Sequence, residues 1–443
     1  MYFYNMGKDF FTKLYIILIS IVGFVSNESV VDVVGVQWYY LSIVNVGSFI
    51  YLFSSKIIAR NLQLSSFFKN GQNTFYSLFF VFCLISFYSS INLSVSLIAI
   101  SKIFVSLSSL IILSQLKPIK NITEFISILF TIYLVVEVYL SMVGYFNIIA
   151  ITDFKLSLAE YYMKGAAANK NITAASIAFK IPFAFLLFNR HKNLLIRGLL
   201  LLIISASFLN LFLLASRAIF VSYSLSIIFL IFGNMLIFIK DKKAKKHLIK
   251  KFIVFIIPII LAFGISNNLA KDESVNISSR ISSINTEDTS TSTRLRYYEK
   301  GIKYFLENPI FGSGIGNWKL TSIKIDSDQI QSYIVPYVAH NDFIEVFTEI
   351  GFFGGFFYLS FVLVILFYLI KLFFRAKEFE FKHSILLLTV PFIIYFIDAN
   401  LNFPQYRPIM QMMFLIYSFL IFNLYSKKII SWKKFYLFIY YQA

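Results

Sequence analysis

GLLLLIISASFLNLFLLASRAIFVSYSLSIIFLIFGNMLIFI, Gly198–Ile239, holds a single charged side chain, Arg217. Apolar blocks lie on either side, over 198–216 and 218–239. Each is about the 17 to 25 residues that carry a helix across a bilayer. The stretch reads as two membrane helices joined by a tight turn that bears an arginine.

The same pattern extends in both directions. Further blocks lie near 10–26, 33–53, 74–91, 94–113, 123–146, 172–188, 252–268, 350–370, 384–397 and 409–426, for about twelve transmembrane helices. The 384–397 block is short, and Pro391 is expected to tilt or break it. Of the 443 residues, 58% are hydrophobic and 14% charged, where a soluble domain carries about a quarter charged. The fold class is therefore all-α, a polytopic membrane protein. The runs do not alternate as β-barrel strands do.

The net charge of +18 would suggest nucleic acid in a soluble chain. Here it reads as loop Lys and Arg that orient the helices, so no nucleic-acid partner is expected. With both termini in the cytoplasm, inner loops hold Lys56 and Arg60, Lys117 and Lys120, Arg190 and Arg197, and the basic run from Lys240 to Lys251. Short outer turns, near Glu28 and Asp32, are acidic or neutral. His191, His247 and His383 all fall in inner loops. The first apolar run lacks a small-residue cleavage site and reads as a retained span. The lone Cys83 excludes a disulfide framework.

Four segments follow. Residues 1–268 form an N-terminal membrane bundle of about nine spans. Residues 269–349 form a large outer loop, 350–426 the C-terminal membrane helices, and 427–443 a basic inner tail. The large loop is Ser/Thr-rich at first. It then places Leu295, Tyr298, Ile302, Phe305 and Leu306 at helical spacing, closed by Pro309 and Gly312. That is an amphipathic helix for the outer membrane surface. GSGIG at Gly312–Gly316 lacks the strand and helix of a dinucleotide site and reads as a tight, close-packed turn.

The candidate chemistry gathers on the outer face. Arg217 at membrane depth is a binding group or a snorkelling interfacial arginine. Arg294 and Arg296 open the amphipathic helix on different faces, so one of them is expected to be a ligand. A guanidinium grips phosphate oxygens bidentately. His340 sits in VAHNDFIEVFTEIG beside Asn341, and suits a general base, a phosphate ligand or a helix cap. Asp342, Glu345 and Glu349 share one stripe, placed to orient a cationic partner or hold the arginines. Asp398 and Arg407 flank the last outer turn, where an ion pair is expected. No metal-ligating cluster stands out, and no cofactor is expected. Arginines and a histidine at the bilayer's edge suit a lipid with a phosphate or diphosphate head. A transporter would instead spread charges through its spans and show two related halves. Here Lys102, Glu137 and Lys180 are the main intramembrane charges.

These motifs resemble those of the O-antigen ligase and O-antigen polymerase superfamily. The resemblance rests on SRA at Arg217, TRLRYYEKGIKYFLENPIFGSGIGNW at Thr293–Trp318, AHNDFIEVFTEIGFFGG at Ala339–Gly355 and the FPQYRP turn. It implies a metal-independent membrane glycosyltransferase of lipopolysaccharide or surface-polysaccharide synthesis. The donor it implies is a glycan on undecaprenyl diphosphate, and the acceptor is lipid A–core or a lipid-linked glycan. The place it implies is the bacterial inner membrane, with the active site facing the periplasm. Arg217, Arg294 and His340 match the family's catalytic positions. Arg294 matches better than Arg296, because Tyr298 follows four residues later. Arg296, Asn341, Glu345 and Arg407 are secondary candidates for contacts to the diphosphate or sugar.

Overall fold

The computed structural model describes residues 2–26, 32–54, 67–116, 119, 121–149, 151, 162–240, 245–269, 289–329 and 335–440. The Ser/Thr-rich start of the large loop, Glu28 and part of the basic run at 240–251 lie outside the described residues.

Fourteen α-helices and no strand occur among the described residues. In chain order they are α1 (Tyr2–Ser20), α2 (Val33–Ser54), α3 (Gly71–Ile85), α4 (Leu93–Gln115), α5 (Ile122–Ile149), α6 (Lys170–Arg190) and α7 (Leu194–Leu214). Then come α8 (Arg217–Lys240), α9 (Lys245–Leu269), α10 (Thr289–Glu307), α11 (Trp318–Ile325), α12 (Asp342–Arg375), α13 (Phe379–Leu401) and α14 (Pro408–Tyr440). Ten are long and apolar enough to cross a membrane. The other two expected spans are helical as well. One is α1, and the other is α3, of 15 residues, continued by a 3-10 turn at Ser86–Ser89.

Two expectations are corrected. The block around Pro391 is neither short nor broken: α13 runs 23 residues through the proline. A proline is tolerated in a membrane helix when neighbouring groups satisfy the freed carbonyl. His247 and His383 are on helices rather than in loops. His383 is buried in α13, with Nδ1 at 3.2 Å from Asn234 Oδ1.

Asparagine recurs at the helix starts for a local reason. A short side-chain oxygen outside the first turn reaches two N–H groups that the helix leaves unbonded. Asn92, Asn169, Asn193 and Asn341 each cap in this way.

The chain divides into two compact units. The first comprises Met1–Ile119, Asn285–Phe367 and Ala399–Phe422. At its centre every residue from Pro408 to Ile421 is buried. A helix that is apolar all round has no face to spare for lipid. Within this unit Asn45 clamps three helices. Tyr15 Oη donates to its Oδ1 (2.9 Å), and its Nδ2 donates to Val105 O (2.9 Å) and Ser109 Oγ (3.0 Å).

The second unit comprises Lys120–Ile284, Tyr368–Asp398 and Asn423–Ala443. Its centre is α6, buried from Ile172 to Phe188 and packed on α5 and α7. Two of the three charges expected inside the membrane meet here. Lys180 Nζ on α6 donates to both Glu137 oxygens on α5, at 2.9 and 2.8 Å. Ser176 Oγ donates to the same carboxylate at 2.8 Å. The pair is almost fully buried, so each group has its partner rather than water to satisfy it.

Removing one partner should be far worse than removing both. Glu137→Ala should cost about 3–5 kcal/mol, whereas Glu137→Leu with Lys180→Met should come out neutral or stabilising. Thermal unfolding of the purified protein in detergent checks this, and equal losses in both variants would refute it.

Candidate functional site

Most candidate residues lie in the first unit, around a loop that runs from Pro309 to Trp318. The GSGIG turn there is tight and close-packed, as its glycines suggested. Gly312, Gly314 and Gly316 all have positive φ, at 63°, 88° and 77°. A Cβ on Gly312 would lie 2.4 Å from Thr348 O, and one on Gly314 2.5 Å from Ser90 Cα. The turn is pinned on two sides. Asn317 Nδ2 donates to Ser96 Oγ (2.8 Å) and Ser90 Oγ (3.1 Å), and Ile315 N donates to Ser86 Oγ (3.1 Å). On the other side Gly314 N donates to Glu349 O (2.8 Å), and Ser313 N to Thr348 O (3.1 Å).

The carboxylates of α12 serve this loop. Glu349 is wholly buried and accepts from Gly316 N (2.8 Å) and Trp318 N. Glu345, also buried, accepts from Ala339 N (2.6 Å) and from the Tyr406 hydroxyl. Asp342 Oδ2 accepts from Gln405 N at 3.0 Å. The expectation that this stripe would orient a cationic partner or hold the arginines therefore gives way to backbone support. A loop without a regular ladder needs acceptors for its N–H groups, and buried side chains supply them.

Helix α10 crosses α12 where Gly301 permits close approach. A Cβ there would sit 3.1–3.2 Å from Ile344, Thr348 and Trp318. Thr348 Oγ1 donates to Gly301 O (3.1 Å), and Phe305 meets Phe347 edge-on at 5.4 Å. Leu295, Ile302 and Leu306 remain exposed, an apolar face of the kind an interfacial helix lays on lipid.

Arg294 and Arg296 separate as their spacing implied. Arg296 Nε pairs with Asp326 Oδ2 at 3.2 Å, and Lys300 Nζ reaches the same carboxylate at 2.7 Å. Arg294 points elsewhere, and its Nη1 donates to Leu401 O at 3.0 Å. Tyr298, one turn on and on the Arg294 face, donates to His340 O (2.8 Å) and Asn400 O (3.1 Å). The only sequence signal for its part in the site is an aromatic four residues after an arginine.

His340 adopts the left-handed conformation, φ 59°, which an L-residue keeps only when its surroundings enforce it. Tyr298 holds its carbonyl. Asn341 follows as the cap of α12, with Oδ1 accepting from Phe343 N and Ile344 N at 3.0 Å. The imidazole meets the Phe403 ring edge-on at 5.3 Å. Arg407 lies over the same ring at 5.0 Å. His340 Nδ1 is buried with no hydrogen-bond partner among the described residues. Burial, and then the nearby Arg294 charge, push the His340 pKa down to about 4, so the ring is neutral at pH 7.

The first unit therefore brings Arg294, Tyr298, His340, Phe403 and Arg407 into one neighbourhood. Arg296, Asn341 and Glu345 belong to the same unit but are engaged inside it. Arg217 belongs to the second unit. It opens α8 two residues after Ala215, whose φ of 50° makes the tight turn expected there. Asp398 is also in the second unit, buried near the end of α13.

Residues 198–359 match the family model described as O-antigen ligase. The match spans Arg217, Arg294 and His340, and it bears out the resemblance drawn from the motifs. No curated protein matches the chain.

The kink in α12 at Gly351 generates a direct expectation. Gly351 has φ 74°, and a Cβ there would lie 2.2 Å from Ile310 O. Gly351→Ala should displace the loop and yield aggregated or protease-sensitive protein. Size exclusion in detergent with limited proteolysis reads this, and a monodisperse, resistant variant would contradict it.

Proposed function

Taking as premise that residues 198–359 match the O-antigen ligase family model, we propose a membrane glycosyltransferase that uses a glycan on undecaprenyl diphosphate. The family supports ligase- or polymerase-type activity, and the multiple apolar helices make the chain a multi-pass membrane protein. In this proposal the protein lies in a bacterial inner membrane and acts at the periplasmic face. The acceptor is lipid A–core for a ligase, or a growing lipid-linked glycan for a polymerase.

The acceptor hydroxyl oxygen attacks the anomeric carbon. The bond from that carbon to the diphosphate oxygen breaks, and undecaprenyl diphosphate leaves with the electron pair. Arg294 stabilises the charge that grows on the leaving group. The motif resemblance assigns Arg217 to the same anion. His340 takes the acceptor's proton, and its neutral ring, with a buried Nδ1 that has no hydrogen-bond partner among the described residues, is the observation that carries this reading. A neutral ring can accept a proton at one nitrogen, as a base must. Arg296, tied to Asp326, is structural, and Asn341 and Glu345 position the histidine.

Arg217→Ala, Arg294→Ala and His340→Ala should each abolish transfer while the protein still inserts, and Arg296→Ala should cost less. Surface glycans run on a gel beside lipid-linked intermediates read this. In a deletion strain, long chains held on undecaprenyl diphosphate with bare lipid A–core mean a ligase. Single repeat units on lipid A–core mean a polymerase. Glycans of unchanged amount and length would sink both.

The pH profile tests the histidine. Its pKa is depressed, so the neutral, active form persists above about 4 and is lost below it. Bound diphosphate offsets the Arg294 charge, so His340 should titrate higher in the complex. The acid limb of kcat should therefore lie at higher pH than that of kcat/KM. Coincident limbs would remove His340 as the base.

A further inference from the structure

One cavity of the first unit has no part in the transfer step. It is half-enclosed, about 40 Å³, and its wall includes Trp38, Lys102, Ser106, Gln405, Tyr406 and Gln411. Lys102 lies on α4, about 13 Å along the helix from its start at Leu93. A charge at that depth is costly and marks a functional position by default. The Asp32 carboxylate and the Lys319 ammonium act on it with opposite sign, and no carboxylate pairs with it among the described residues. Trp38 is 6% exposed, and its Nε1 hydrogen is buried with no acceptor among the described residues. A buried donor left unmade is a standing cost. Lys102 and Trp38 line a space that holds about three waters, at roughly 10–15 Å³ each. A carboxylate has three heavy atoms, and a phosphate group has five.

The cavity adjoins the candidate site through one short turn. Gln405 and Tyr406 line the cavity, and Phe403 and Arg407 of the same turn flank His340. We propose that this cavity receives the carboxylate of an acidic sugar in the acceptor glycan, with Lys102 and Trp38 as its ligands. The proposal rests on the glycosyltransferase reading and names a class of acceptor for it.

The test is equilibrium binding to the full-length protein in detergent, by proton saturation-transfer NMR for glucuronate and glucose and by phosphorus-31 line broadening for inorganic phosphate. Glucuronate should bind with Kd on the order of 1 mM, as expected for a small polar fragment. Glucose and phosphate should each bind at least about tenfold more weakly, and Lys102→Gln should lose about tenfold for glucuronate. Lys102→Arg should keep binding, and Trp38→Phe should weaken it. Equal binding of glucose and glucuronate, or undiminished binding by Lys102→Gln, would overturn the proposal. Phosphate binding without glucuronate binding would instead assign the cavity to a phosphate group and overturn it too. No donor is present in this assay, so glucuronate binding can fail while wild-type transfer stands. Conversely, loss of the transfer reading would leave measured binding intact.

Discussion

The Glu349 carboxylate lies inside the first unit and takes two backbone N–H groups, those of Gly316 and Trp318. Much of the site depends on that arrangement. Irregular backbone at or near membrane depth has little water to satisfy it, so it persists only where protein groups take over. The loop at 309–318 has three glycines at positive φ and no ladder of its own. Glu349, the serines around Ser90 and the carbonyls of Thr348 and Glu349 together supply what a sheet or helix would. The same packing forces α12 to break at Gly351, where Phe352 N turns to Pro309 O at 2.7 Å.

With the loop fixed, the polar residues of HNDFIEVFTE divide by task. Asn341 caps, Asp342 and Glu345 hold the FPQYR turn, and Glu349 holds the glycine loop. His340 is left with a strained backbone and a ring whose Nδ1 has no partner among the described residues. Strain of this kind costs on the order of 1–3 kcal/mol and survives when neighbours over-determine it. Here Tyr298, the Asn341 cap and the Phe403 ring do so. The surroundings that bury the ring also keep it neutral, which suits a group that must accept a proton.

The second unit handles buried charge differently. Lys180, Glu137 and Ser176 bond to one another, so both charges are already paired. Lys102 of the first unit has no such arrangement among the described residues. The contrast separates a closed ionic cluster, which specifies packing, from a cation beside a small cavity, which can meet a substrate.

Length and hydropathy alone determined the helical membrane fold, because a bilayer admits few other structures and the apolar blocks match its thickness. The i, i+4 spacing of Arg294 and Tyr298 puts them on one helix face whatever packs against it. Asn at helix starts and Gly in tight turns were local signals too. The tasks of the carboxylates were not legible, since Glu349 serves backbone more than 30 residues away. Nor was the Arg296–Asp326 pair, or the burial of His383 beside Asn234, 149 positions apart. Such pairings depend on which chain segments fold against each other. A one-dimensional pattern of apolar and polar residues does not encode that, so only the tertiary structure could assign each polar side chain to support or to chemistry.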